Sequence, residues 1–207
     1  MLPKIESYIK SLLNEFHQIS DERKELLKSF VNYILQKYKS NEIINLIFIC
    51  THNSRRSQFA QIWAKVASEF YGIKNINCYS GGTEVTSFNP RAINTLQKIG
   101  FQIKKNGIME NIIYNLKFIQ NSDSITCFSK LYNDKINPQK DFAAIMTCSD
   151  ADENCPVIFG AERRFQIRYE DPKKFDNSEL EESKYLERNN EIAREMLYVF
   201  CKVSQKF

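Results

Sequence analysis

Apolar positions recur at helical spacing through the first forty residues. Ile5, Ile9, Leu12, Leu13 and Phe16 fall three or four apart, and Leu26, Leu27, Phe30, Tyr33, Ile34 and Tyr38 repeat the pattern. Two helices are predicted, the second N-capped by Ser20, with Asp21 and Glu22 in a first turn where negative charge suits the helix dipole. From Asn45 the texture changes. Leu46-Ile47-Phe48-Ile49 is a continuous apolar run of strand length, and a polar loop leads from it into the helical pattern Phe59, Ile62, Trp63, Val66, Phe70, closed by Gly72. A strand over 76–80, a Gly81-Gly82 turn and a helix starting at Asn89-Pro90 come next. Further strands are predicted over 142–146 and 165–169, and a C-terminal helix from about Tyr185 to Val203. Residues 105–140 break the rhythm, because 111–119 and 124–131, joined by Gln120-Asn121-Ser122-Asp123, read as a β-hairpin. Strands alternating with helices imply an α/β fold: an open parallel sheet flanked by helices on both faces. It is expected over 43–207, with a helical extension over 1–42 and an insertion at about 105–140.

Composition narrows the function classes. Of 207 residues, 43% are hydrophobic and 26% charged, the balance of a globular domain with a real core. A net charge of +4 is too small and too evenly spread to point to nucleic acid. No apolar run approaches the roughly 18 residues of a membrane span. The opening MLPKIESYIK is amphipathic and lacks the pattern of a signal peptide, so a cytoplasmic location is expected. In that reducing setting the six cysteines are expected to be catalytic or redox-active rather than stapled, with no metal and no cofactor required. Cys78, Cys127 and Cys201 match no motif and read as packing residues.

The central motif is Cys50-Thr51-His52-Asn53-Ser54-Arg55-Arg56-Ser57, set between a buried strand and a helix. Five residues between Cys and Arg can curl so that successive N–H groups point inward and cradle a tetrahedral oxyanion. The helix adds its N-terminal dipole, and Arg56 can grip two anion oxygens bidentately. Everything positive in such a loop favours the thiolate, the nucleophilic form of cysteine. Ser57 can donate to the sulfur, and Arg55 adds charge or turns to solvent. The plainer reading makes Cys50 a small apolar residue at a strand end.

A second cluster, Thr147-Cys148-Ser149-Asp150-Ala151-Asp152-Glu153-Asn154-Cys155-Pro156, follows the strand at 142–146. Strand ends at the carboxyl edge of a parallel sheet converge, so Cys148 and Cys50 are expected to be neighbours. Cys148 and Cys155 stand either as unrelated thiols or as a pair joined by a polar, flexible loop. A calcium-loop reading of Asp150-x-Asp152-x-Asn154 fails, since Cys155 occupies the glycine position and Ala161 that of the bidentate Glu. Asp171-Pro172 by itself reads as the start of a turn.

The stretches CTHNSRRSQFAQIWAK, YSGGTE and FNPRAI resemble the low-molecular-weight protein tyrosine phosphatase superfamily, and CSDADENCP is similar to the redox segment of its thioredoxin-coupled arsenate reductase branch. The resemblance spans residues 45–101 and 142–201. It implies that Cys50 is the nucleophile, that Arg56 and the loop amides bind the oxyanion, that Asn53 and Ser80 brace the loop, and that Asp171 is the general acid. It further implies a relay in which Cys148 attacks the Cys50 adduct, and Cys155 then attacks Cys148 to leave a disulfide that a thioredoxin-type partner reduces. Two departures stand in the loop: His52 where the family usually carries Gly, and Arg55 where it often carries Cys. Gln61 replaces a Glu that in arsenate reductases helps bind a structural potassium ion, so that ion is not expected. Three functions follow in order: arsenate reduction; hydrolysis of a phosphate ester such as phosphotyrosine; and non-catalytic anion binding or docking.

Overall fold

In the computed structural model, which describes residues 1–107, 111–154 and 157–206, two helices come first, α1 (Pro3–Leu13) and α2 (Asp21–Lys39). The body follows as β1 (Ile44–Cys50), α3 (Arg56–Phe70), β2 (Ile76–Gly82) and α4 (Pro90–Ile99). A separate run of strands comprises β3 (Gln102–Asn106), β4 (Ile113–Lys117) and β5 (Ile125–Cys127). The chain closes with β6 (Phe142–Met146), α5 (Ser149–Asn154), β7 (Ala161–Gln166) and α6 (Glu181–Ser204). The four body strands form one parallel sheet in the order β2-β1-β6-β7, with β1 paired along its length to β2 and β6.

Alternation along β1 divides the interior. Ile44, Leu46 and Phe48 face a large core built with Trp63 of α3 and Met196 and Phe200 of α6. Ile47 and Ile49 face the other way, and Cys50, at the strand end, packs with them beside Met146 and Cys148. The cover expected on both faces is therefore unequal: long helices cover one, while the other has only Ala151 of short α5, Ile158 and a loop bearing Tyr132. No helix among the described residues is long and apolar enough to cross a membrane.

The N-terminal helices form as their spacing predicts. Ser20 accepts a bond from the Arg23 amide and caps α2, and Ile5, Ile9, Leu12, Leu27, Phe30 and Ile34 lie in the same core as α3 and α6. Leu26 does not join them and is exposed, because Leu27, Phe30 and Ile34 already fill the inward stripe.

Two strand expectations need correction, and a third is extended. Gly81 and Gly82 make no turn but end β2, paired with Ile49 and Cys50. Glycine is needed there for close approach: a Cβ on Gly82 would lie 2.5 Å from the Glu84 carbonyl and 2.6 Å from that of Thr51, and one on Gly81 would strike the Tyr132 backbone. The strand expected over 165–169 begins earlier, at Ala161, as an edge strand whose outer residues Glu162 and Arg163 are polar. The hairpin at 105–140 exists as β4 with β5, and β3 joins them antiparallel in the order β3-β4-β5. The sequence QIKKN of β3 has no apolar alternation; pairing with β4 makes it a strand.

Candidate active site

Between Cys50 and Arg56 the backbone is turned with its carbonyls outward. The Cys50 carbonyl accepts from the Thr83 amide, that of Thr51 from the Glu84 amide at 2.8 Å, and that of His52 from the Ser129 hydroxyl at 2.8 Å. The Asn53 carbonyl accepts from the Gln58 side chain at 2.9 Å, that of Ser54 from the Asn89 amide at 3.0 Å, and that of Arg55 from the Phe59 amide at 3.0 Å. The amides behave oppositely. Those of Thr51, His52, Asn53, Ser54 and Arg55 donate to no other described residue. Asn53 permits the curl by adopting a left-handed φ of 47°, which asparagine tolerates better than most side chains. Six anchored carbonyls beside five undonated amides make a nest for an oxyanion.

The polar contacts around the sulfur have a direction. Asn53 donates its amide to the Ser57 hydroxyl oxygen at 2.8 Å, and that oxygen lies 3.1 Å from Cys50 Sγ. Asn53 takes one lone pair of that oxygen and leaves the Ser57 proton free to point at the sulfur. Asn53 also accepts from the Lys130 amide at 3.0 Å, so it is held from both ends. The bracing expected of Ser80 is absent: its hydroxyl is buried with no hydrogen-bonding partner among the described residues, and only its carbonyl is engaged, by Asn137.

Arg56 is anchored along one side of its guanidinium. Nη1 donates to the Tyr169 carbonyl at 3.0 Å and Nη2 to Asp171 Oδ2 at 2.6 Å, while Nε is buried without a partner among the described residues. The other Asp171 oxygen caps the turn at Pro172–Phe175 by accepting from the Lys173 amide. Arg55, expected to add charge to the loop or to face solvent, does neither. It is buried, its Nε donates to the Tyr185 hydroxyl at 2.7 Å, and it pairs with Asp176. Ser54 ties the loop outward by donating to the Ser87 carbonyl, and the His52 ring stands 3.2 Å from the Glu84 carboxylate.

Cys148 arrives at the same edge, as the parallel topology predicts. Its sulfur is buried, 3.5 Å from the Thr51 hydroxyl, and accepts from the Ala151 amide at the start of α5. The following segment is not the loose polar loop expected from its composition. Ala151 is packed in the core, and the buried Asp152 carboxylate is paired with Arg164 and Arg168. Cys155 lies outside the described residues. Among the other cysteines, Cys127 is buried, and Cys78 and Cys201 are half-buried.

The potassium ion of the arsenate reductases does not fit. Gln61 offers only a neutral carboxamide, and the ammonium-bearing Lys130 lines the same cavity, where its charge opposes a second cation. The residues that sequence reading missed are the clamps on the loop carbonyls, from Thr83 to Asn89 and at Ser129. Of these only Asn89, read as a helix start, carried a local signal.

A family model for low molecular weight phosphotyrosine protein phosphatase matches residues 45–183, two thirds of the chain. The chain belongs to this family. Within it, the chain is 33% identical over 127 residues to arsenate reductase 2 of Staphylococcus saprophyticus, covering 61% of the chain and 77% of that relative. It is 31% identical over 129 residues to the arsenate reductase of Staphylococcus aureus strain Newman, with the same coverage of each. Solved structures of similar fold include the YwlE arginine phosphatase, in a mutant form with a phosphorylated active-site serine, at a TM-score of 0.55 and 14% identity over 79% of this chain and 97% of that one. The low molecular weight phosphotyrosine phosphatase of Vibrio cholerae O395 aligns at a TM-score of 0.50, 14% identity and the same coverage. At that identity the likeness is one of fold.

Proposed function

We propose that this family member is an arsenate reductase using three cysteines in sequence, with a thioredoxin-type dithiol as reductant and the cytoplasm as its setting. The observation that carries the reading is the placement of Cys148 beside the nest, its sulfur 3.5 Å from Thr51, the first nest residue after Cys50. A phosphatase needs no second thiol there. Cys50 thiolate, held by Ser57, attacks arsenic while the nest amides and Arg56 bind the oxyanion, and an arsenate oxygen leaves as water. Asp171 stands beside Arg56 to supply a proton to that oxygen. Cys148 thiolate then attacks Cys50 Sγ. The sulfur–sulfur bond forms as the sulfur–arsenic bond breaks, and its electron pair passes to arsenic, which leaves as arsenite. Cys155 attacks Cys148 Sγ, releasing Cys50 as thiolate and leaving Cys148–Cys155 for the external dithiol. Between the two thiols in the chain lies α5, where Asp152 is paired with Arg164 and Arg168.

The test is peptide mapping after one turnover with arsenate and no reductant. The expected product is a Cys148–Cys155 disulfide. Cys155→Ser should stall at Cys50–Cys148, and Cys148→Ser should abolish reduction while sparing aryl phosphate hydrolysis. If all three cysteines stay as free thiols, phosphate ester hydrolysis replaces this reading. That second reading is favoured by a specific observation of its own, the Asp171 carboxylate 2.6 Å from Arg56, because nest, Cys50 and an acid suffice for it.

A further inference from the structure

A second cavity, of about 450 Å³, lies between α3, β2 and the β3–β5 insertion, with Gln61, Cys78, Phe118, Ile119, Phe128 and Lys130 among its walls. This volume is within the range of small-molecule sites. Two of its wall residues carry polar groups that no other described residue satisfies. Lys130 is 3% exposed; its ammonium rests 4.7 Å above the Phe128 ring and makes no hydrogen bond or ion pair with any described residue. Gln61 is 4% exposed, and its Oε1 is buried without a partner among the described residues. The other charged groups on the walls do not answer Lys130: Lys65 is paired with Glu69 at 2.6 Å, and Asp123 is turned out to solvent. An ammonium taken out of water without a counter-charge lowers stability, as does an unpartnered carboxamide oxygen. Both penalties vanish when an anion and a donor enter together.

We propose that this cavity is a ligand site separate from the Cys50 nest, taking a small carboxylate with an aromatic or branched apolar body and a hydroxyl or N–H donor. The carboxylate pairs with Lys130, the donor reaches Gln61 Oε1, and the body fills the space walled by Phe118, Ile119 and Phe128. Burial holds Lys130 below the ordinary lysine pKa, and the field of Asp134, which makes no ion pair with the ammonium, offsets this only in part. A bare inorganic anion would leave the apolar walls unfilled, and a cation would be repelled by the ammonium. The site adjoins the nest through the backbone: Phe128 accepts from Gln58, and Lys130 donates its amide to Asn53.

The test uses the full chain and 4-hydroxyphenylacetate as the probe, titrated calorimetrically with inorganic phosphate saturating the nest. Wild type should bind the probe in the presence of phosphate, and the neutral analogue 4-hydroxyphenylethanol at least about tenfold more weakly, the loss of one charge-assisted bond. Lys130→Met should bind the probe at least about tenfold more weakly and, with its unpaired charge removed, melt higher than wild type in the absence of probe. Absence of binding to wild type, displacement by phosphate, or equal binding by Lys130→Met would each overturn the proposal. So would a Lys130→Met protein that melts lower or fails to fold, because Lys130 would then serve the fold and not a ligand.

Discussion

At Cys50 the Ser57 hydroxyl lies between two partners, the Asn53 side-chain amide and the sulfur. Asn53 donates to the hydroxyl oxygen and leaves its proton free to point at the sulfur, and the undonated amides and Arg56 supply positive potential nearby. Cys127 lives in the opposite environment: burial pushes its thiol up to about 12, so it stays protonated at neutral pH. Brief iodoacetamide treatment near pH 7.5 should therefore label Cys50, with protection by phosphate, and leave Cys127 unlabelled until the chain unfolds. Mass mapping checks this, and early labelling of Cys127 would count against the burial argument. Asp171 divides its two oxygens between Arg56 and the Lys173 amide. Replacement by Asn keeps the cap and removes the transferable proton. Hydrolysis of an aryl phosphate with a poor leaving group should fall by roughly 10²-fold, while inhibition by phosphate changes little. Equal rates for Asp171→Asn and wild type would remove Asp171 from the chemistry.

Among the elements, α2 does more than cover the core. Arg23 on α2 donates twice to Glu195 of α6, at 2.7 and 2.9 Å, and stacks over the Tyr169 ring. Tyr169 donates its hydroxyl to Glu195, and its carbonyl accepts from Arg56. A continuous run of contacts thus joins the N-terminal helices to the guanidinium of the nest. Arg23→Ala leaves the Glu195 carboxylate buried without its cation, a loss of about 2–4 kcal/mol that denaturant melting will read. Adding Glu195→Gln should recover part of it, because the second change removes the stranded charge. Additive losses in the double variant would show that the two residues act independently. The insertion contributes in the same way, since Phe128, Ser129 and Lys130, at its end, hold Gln58, His52 and Asn53.

Over the whole molecule, α2 is also pinned to the sheet edge by charge. Tyr33 and Lys37 both donate to Glu162 on β7, at 2.9 and 2.7 Å. Burial works to raise the Glu162 carboxyl, but the bonds from Lys37 and Tyr33 outweigh it and hold the group below its ordinary value of 4.5. A depressed folded value means that this contribution is fully present above pH 4.5 and is lost as the pH falls through the lower folded value. Lys37, raised in turn by its bonds to Glu162 and Glu42, keeps its side of the pair until the pH passes its own elevated value. Stability measured by thermal melting should therefore fall below pH 4.5 more gently in Glu162→Gln than in wild type. The same acid sensitivity in both proteins would assign it to other carboxylates.

The elements whose signals are local were legible in the chain itself: the helical stripes of α1 and α2, the Ser20 and Asn89 caps, and the apolar run of β1 leading into the Cys50–Arg56 loop. Periodicity and capping act over a few residues, so these features need no distant partner to be read. The parallel order of strands, and with it the meeting of Cys148 and the nest, followed from the alternation of strands and helices. Only the tertiary structure decided that Gly81 and Gly82 end a strand, because Tyr132 and Thr51 press on them from elsewhere in the chain. It alone decided that Arg55 leaves the nest for Tyr185, and that Ser129 rather than Ser80 braces the loop. Asp152, polar by composition, is buried because Arg164 of β7 and Arg168, just past its end, come to meet it. Such contacts join positions far apart in sequence, and a polar side chain carries no local sign of the partner that folding brings to it.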